Sequence, residues 1–343
     1  MELLTLPLIL IACWKMDWCR SGFYDDGLSL TKTRALRGML SLLVVMHHLF
    51  ISETESPLYI VYDLCGILCV SLFFFLSGYG LEKSARSKAG YGGRILTRRI
   101  PSILVPYLFL TLLYWAQSSW QGNGDSLARI LVRLVSGRSI VANSWYIHCL
   151  LAWYLCFALC QQLFARRFRW KLGANLVFAV LWVFWCLFRG YAPHWYNAVI
   201  AFPAGIFWAE YEGILRTRLE KRYWPALAGS AGAFLGLLAG ALITAGDRII
   251  VPLFWGAMCF FLLTVYLVLM KITVKNPLLL FLGDISFEIY GIHGFFIYLY
   301  QDRFGSSLLR GSAVMLSSVA AAWVLHGVFQ RILGKLSPRP AGQ

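Results

Sequence analysis

The sequence predicts an all-α, polytopic transmembrane bundle of about ten spans with both ends of the bundle cytoplasmic, on three observations. The first is composition. Of 343 residues, 59% are hydrophobic and 14% charged, and the mean hydropathy is +0.66; a soluble domain with one core is not built this way. The second is recurrence. Apolar stretches long enough to cross a bilayer follow one another at roughly 35–52, 59–81, 100–118, 144–164, 174–191, 195–212, 225–245, 249–270, 278–300 and 308–331. The third is charge placement. Threading those spans leaves only Arg129, Arg133, Arg138, Arg189, Arg248, Arg303 and Arg310 on one side, and the other Lys and Arg of the 31 on the opposite side. The crowded side is cytoplasmic by the positive-inside rule. The net charge of +15 therefore reports topology and contact with anionic lipid headgroups rather than binding of nucleic acid.

Taken in order, residues 1–30 come first. Leu3–Trp14 is apolar but short for a span, and Lys15 and Asp17 follow at once. With no basic n-region and no small-residue cleavage site it is not read as a removed signal peptide. An interfacial or re-entrant helix is preferred to an eleventh span. A transmembrane domain then occupies 31–336, and 337–343 form a cytoplasmic tail.

The first span carries Arg37 and His48 at either end of the apolar run Gly38–Met46. Eleven steps of about 100° return to within about 20° of the start, so both side chains share one helix face, about 16 Å apart along the axis. With Arg37 at the membrane surface, His48 hangs near the middle of the bilayer, where an imidazole needs a partner or a function. His47 is turned about 100° away and reads as packing or support, with an exchange of roles open. The second span contains Phe73–Gly78 (FFFLSG), and the third opens with RILTRRIPSILVPY from Arg94 to Tyr107. Arg94, Arg98 and Arg99 are either a solvated basic loop or partners for an anionic ligand. The fourth begins at Ser144-Trp145-Tyr146-Ile147, where Trp145 suits an interfacial anchor. The ninth holds LGDISFEIYGIH from Leu282 to His293; Ser286, Tyr290 and His293, spaced by four and three, form one polar stripe facing the bundle interior. Asp63, Glu210 and Asp284 read as salt-bridge or helix-end carboxylates, and His148, His194 and His326 as structural. The nine cysteines lack zinc or disulfide spacing and read as packing residues.

Four of these segments together resemble the acyltransferase-3 family of membrane-bound acyltransferases: RALRGMLSLLVVMHH with its Arg–ten residues–His, FFFLSG, the Arg-rich run into Pro106-Tyr107, and LGDISFEIYGIH. Order and spacing agree from about residue 33 to 333. Arg34 stands where the family often has a carboxylate, and Phe287 where Tyr is commoner. The resemblance implies transfer of an acyl group, acetyl or similar, from an acyl-CoA to a hydroxyl of a carbohydrate, lipid-linked sugar or cell-envelope polymer. It implies a plasma (inner) membrane location and no metal. On this reading Arg37, Arg94, Arg98 and Arg99 meet the phosphates of coenzyme A. His48 is the general base, with Arg37 completing the catalytic pair, and Tyr290, His293, Ser286 and Trp145 contact the acceptor. The competing class is a secondary transporter using buried His and carboxylates as a proton relay.

Overall fold

In the computed structural model, which describes residues 1–88, 90–244 and 250–336, nearly every element is helical. The expected tail at 337–343 lies outside the described residues. A turn of 3₁₀ helix leads into α1 (Thr5–Cys13), followed by a short strand β1 (Met16–Trp18), α2 (Leu30–Phe50) and α3 (Tyr59–Ser87). Next, α4 (Tyr91–Arg94) passes through a π-helical turn (Ile95–Arg99) into α5 (Ile100–Trp120), ahead of α6 (Leu127–Val135), α7 (Trp145–Phe164) and α8 (Phe168–Phe188). After them come α9 (Ala201–Lys221), α10 (Tyr223–Ile243), α11 (Ile250–Lys271), β2 (Ile272–Val274), α12 (Pro277–Asp284), α13 (Ser286–Leu299) and α14 (Ser307–Leu336). Local chemistry sets several starts. Ser29 caps α2 by accepting from the Lys32 amide at 3.3 Å, and Asn276 caps α12 by accepting from the amides of Leu278 and Leu279.

Among the described residues, seven segments are long and apolar enough to cross a membrane: α3, α4–α5 taken together, α7, α8, α10, α11 and α14. Their outward faces carry exposed Phe184 and Phe188 on α8, Ile243 on α10, and Leu316 and Trp323 on α14. Such a surface is stable against lipid and not against water. Two expected spans fall short on composition. In α2 the charges Lys32, Arg34 and Arg37 interrupt the apolar run, and the second half of α9 is dominated by Glu210, Glu212, Arg216, Arg218, Glu220 and Lys221. Many of these groups are paired: Lys83 meets Glu212 at 2.8 Å, Arg86 meets Glu210 at 2.8 Å, and Lys32 meets Asp26 at 2.6 Å. The span expected continuously over 278–300 is two helices, α12 and α13, bent by 76°. The bend lies at Ile285, where the Ser286 hydroxyl donates to the Gly283 carbonyl at 3.0 Å.

The core is centred on α2, α3, α9, α12 and α13. Two close crossings fix it. A Cβ at Gly38 of α2 would stand 2.2 Å from the Leu279 carbonyl oxygen of α12, and one at Gly283 would stand 2.0 Å from that of Arg34. Between α3 and α9 the same exchange occurs at Gly78 against Phe202 and Gly205 against Phe75. Only glycine lets these backbones meet so closely, as in small-residue packing of membrane helices.

The two strands had no sequence signal. β1 pairs antiparallel with β2, Asp17 opposite Thr273, which ties the N-terminal segment to the α11–α12 connection. The apolar helix there, Glu2–Cys13, is shorter than a span. Its Thr5 hydroxyl bonds the Tyr62 hydroxyl at 2.9 Å, and its Ile11 carbonyl accepts from Asn276 Nδ2 at 2.6 Å. One end thus rests by the start of α3 and the other by the start of α12.

Candidate functional site

Because α2 starts at Leu30, Arg37 sits two turns inside the helix and His48 near its end. Each residue belongs to a different polar region.

Around Arg37 gather Arg34, Arg99, Tyr154 and Asp284. Arg34, the departure from the family pattern, forks onto Asp284 through two bonds, with Nε to Oδ1 at 2.8 Å. That pair leaves Arg37 with no carboxylate of its own, and its buried Nε finds no hydrogen-bond partner among the described residues. A buried guanidinium N–H without an acceptor is a costly state for the ligand-free chain and a ready donor to an anion. The π turn aims Arg99 at Tyr91, with Nε to the hydroxyl at 3.2 Å, and Tyr154 neighbours both Arg37 and Arg99. Arg94, Arg98 and Arg99, expected beside Arg37, are all exposed, and of the three Arg99 is the one that neighbours Arg37.

At the other end of α2 lies a cavity of about 760 Å³. His47 and His48 line it from α2, Asp63 from α3, Tyr290 from α13 and Arg310 from α14, while Asn143, Trp145, His194 and Asn197 contribute from the loops around the start of α7 and α9. The His48 ring stacks on His293, centroids 5.0 Å apart. His293 is fully buried; its Nδ1 lies 3.2 Å from the Ile289 carbonyl, and its Nε2 has no partner among the described residues. His47 is fixed more firmly. Its Nδ1 meets the Tyr62 carbonyl at 2.9 Å, and its ring covers Gly66, where a Cβ would stand 2.6 Å away. The Tyr290 hydroxyl donates to the Asn143 carbonyl at 2.7 Å, and Asn143 adopts a left-handed φ of 58°, which asparagine tolerates. Trp145 packs on His194 with centroids 5.0 Å apart.

Tyr146 joins the two regions. It is buried, packs against Tyr290 at 5.1 Å and Phe74 at 5.0 Å, and neighbours Arg37 and Ser77 on its other side. Of the residues expected to meet an acceptor, Tyr290 and Trp145 line the cavity, and His293 supports it through His48. Ser286 does not reach it. His194, Asn143 and Asn197 come in through loop geometry and Arg310 from α14, none of them in a spacing pattern, whereas Tyr146 lies in the Ser144-Trp145-Tyr146-Ile147 segment without a role read for it from sequence. Two other histidines hold structural contacts: His148 binds the Ser144 and Leu134 carbonyls, and His326 meets Glu288 at 2.9 Å. Among the described residues no cluster of His, Cys, Asp and Glu could hold a metal ion.

An acyltransferase-domain family model matches residues 33–327. Neither the curated proteins nor the solved structures give a significant match. A match over that much of the chain, carrying the Arg37–His48 helix, the glycine crossings and both polar regions, makes the protein a member of the acyltransferase-3 family.

Proposed function

We propose that the protein moves an acyl group, acetyl or similar, from acyl-CoA to a hydroxyl of a carbohydrate or cell-envelope acceptor, with His48 as general base. The observation that carries this reading is the single helix α2. Two turns in from its start it carries a guanidinium whose Nε has no partner among the described residues, and near its end an imidazole in a cavity, about 16 Å further along. Coenzyme A has that form, a phosphate-rich end and a reactive sulfur at the tip of a long arm. Arg37 and Arg99 are the phosphate contacts, with exposed Arg94 and Arg98 as charges that draw the anion in. Tyr146 lies between the Arg37 region and the cavity, so its side chain has to move aside for the arm to reach His48.

In the reaction, His48 takes the proton of the acceptor hydroxyl as that oxygen attacks the thioester carbonyl. The tetrahedral adduct collapses, the C–S bond breaks, and His48 returns the proton to the departing thiolate. The products are an ester and free coenzyme A, with no covalent enzyme intermediate. His293 steadies the His48 ring, and Tyr290 and Trp145 present the acceptor.

We take the bundle to cross ten times, α2 and α9 included; on that threading the distribution of Lys and Arg supports cytoplasmic ends, and a plasma-membrane location goes with a cell-envelope acceptor. The Arg37 region then faces the cytoplasm, where acyl-CoA is made, and the cavity faces outward. The test is release of coenzyme A by the purified protein in lipid nanodiscs, with His48→Ala as comparison. Release that vanishes in the variant is expected. Transport of a solute in sealed vesicles without any acyl product would overturn the reading in favour of a permease.

A further inference from the structure

The loop between α8 and α9 is fastened along its backbone. It contains a 3₁₀ turn (Pro193–Trp195), and the Asn197 amide N–H donates back to the Pro193 carbonyl at 3.0 Å. Two indoles hold the carbonyls in between. Trp182 of α8 donates Nε1 to the Trp195 carbonyl at 2.9 Å, and Trp255 of α11 donates Nε1 to the Tyr196 carbonyl at 3.0 Å. Against that pinned backbone one side-chain atom is left over. Asn197 is 4% exposed and lines the cavity, and its buried Oδ1 has no hydrogen-bond partner among the described residues. Other asparagine amides serve the fold: Oδ1 of Asn276 caps α12, and Nδ2 of Asn175 donates to the Lys171 carbonyl at 2.9 Å.

A buried amide oxygen without a donor costs free energy, and a ligand that brings the donor removes that cost. The position of Asn197 says which ligand. His194, three residues earlier in the same loop, lines the cavity and packs on Trp145, so Asn197 stands with the acceptor contacts. The cationic region around Arg37 is separated from them by Tyr146. Resting on the acyltransferase reading above, we infer that Asn197 is a specificity-determining residue for the acceptor: its Oδ1 accepts a hydrogen bond from a second hydroxyl, one that is not acylated. His48 acts on the oxygen that reacts, and Asn197 sets the orientation in which the acceptor is held. An acceptor lacking that second hydroxyl leaves Oδ1 buried and unpaired. A site of this kind rejects such an analogue more strongly than an apolar pocket rejects a missing methylene.

The experiment supplies the purified protein in nanodiscs with acetyl-CoA and rising amounts of an envelope extract from cells that lack the protein. Release of coenzyme A gives the half-maximal extract concentration and the maximal rate, and calorimetric titration gives the affinity for coenzyme A. Asn197→Leu is close in size and makes no hydrogen bond; Asn197→Asp keeps accepting oxygens and loses the donor. Asn197→Leu should raise the half-maximal concentration about tenfold with coenzyme A affinity at the wild-type level, and Asn197→Asp should stay within about threefold of wild type. Should Asn197→Leu not accumulate, Asn197→Ala gives the same comparison. A fall in maximal rate shared by Asn197→Asp, with the half-maximal concentration unmoved, overturns the inference in favour of a donor to the thioester oxygen. Weakened coenzyme A binding overturns it in favour of a contact to the donor's arm, and variants that all match wild type overturn it outright. Wild-type protein that releases no coenzyme A at any extract concentration overturns the acyltransferase reading itself, and this inference with it.

Discussion

The imidazoles of His48 and His293 lie nearly parallel, 17° between planes, so that α13 holds the ring that α2 carries into the cavity. His48→Ala should lower kcat by about 10²–10⁴, the usual contribution of a positioned base, while affinity for coenzyme A stays near wild type. His293→Gln should cost less and act on kcat rather than on donor KM. Steady-state release of coenzyme A checks both, and full turnover by His48→Ala would falsify the assignment of the base.

Arg37→Ala should weaken binding of coenzyme A by about ten- to a hundredfold, the loss of a charge-assisted contact of about 1.5–3 kcal/mol. Arg37→Lys should recover part of it, since a lone ammonium lacks the planar fork. Arg94→Ala and Arg98→Ala, at exposed positions, should slow association at low salt and change equilibrium affinity little. Calorimetric titration with coenzyme A separates these cases.

Much of this was legible from residues alone. The helices α2, α3, α5, α7, α8, α9, α10, α11 and α14 coincide with apolar runs in the sequence, and helical geometry places Arg37 and His48 on one face of α2. The break at Ile285 was not, because a bend inside an apolar run depends on what packs against it, here Arg34 on Gly283. The β1–β2 pairing escaped for the same reason, joining residues that are far apart in sequence. His194 had no partner at a helical spacing and reaches the cavity only because its loop folds against Trp145. Helix α2 begins several residues before its apolar stretch, in a charged turn capped by Ser29, a start that the apolar run alone does not mark.

Gly78→Ala should lower the thermal midpoint in detergent, since the added methyl would stand 2.2 Å from the Phe202 carbonyl oxygen. A cost of about 1–3 kcal/mol is the usual range for overpacking. Gly80→Ala on the same helix meets no atom within 4 Å and serves as the control. Equal midpoints for the two variants would mean the α3–α9 crossing is looser than described.

Lys171 and Glu82 form a buried pair at 2.6 Å, their side chains 3% and 1% exposed, and Lys171 also reaches Gln161 at 3.1 Å. Lys171→Met should destabilise by about 3–5 kcal/mol because it strands the Glu82 carboxylate, whereas the double change Glu82→Gln with Lys171→Met should recover much of that. Thermal unfolding of the single and double variants gives the coupling. A double variant no more stable than the single one would argue against the pair.

Outside the spans, Arg129 and then Arg133 hold the Asp125 carboxyl below its ordinary pKa. Its pairing is therefore complete above the ordinary Asp value of about 3.9 and is lost only as pH falls through the lower folded-state value. Arg129→Gln should move that transition upward. Hydrogen exchange across α6 as a function of pH reads it, and an unmoved transition would mean that Arg133 alone sustains the effect.

The π-helical turn at Ile95–Arg99 winds an extra residue into a helix that otherwise runs from Tyr91 to Trp120. Such a turn works as an indexing step. Deleting Thr97 would restore ordinary winding and rotate Arg94 by about 100° relative to α5, with no change in the chemical character of the segment. The clockwork of that one turn, more than the number of arginines around it, decides which cation meets Tyr91 and stands beside Arg37.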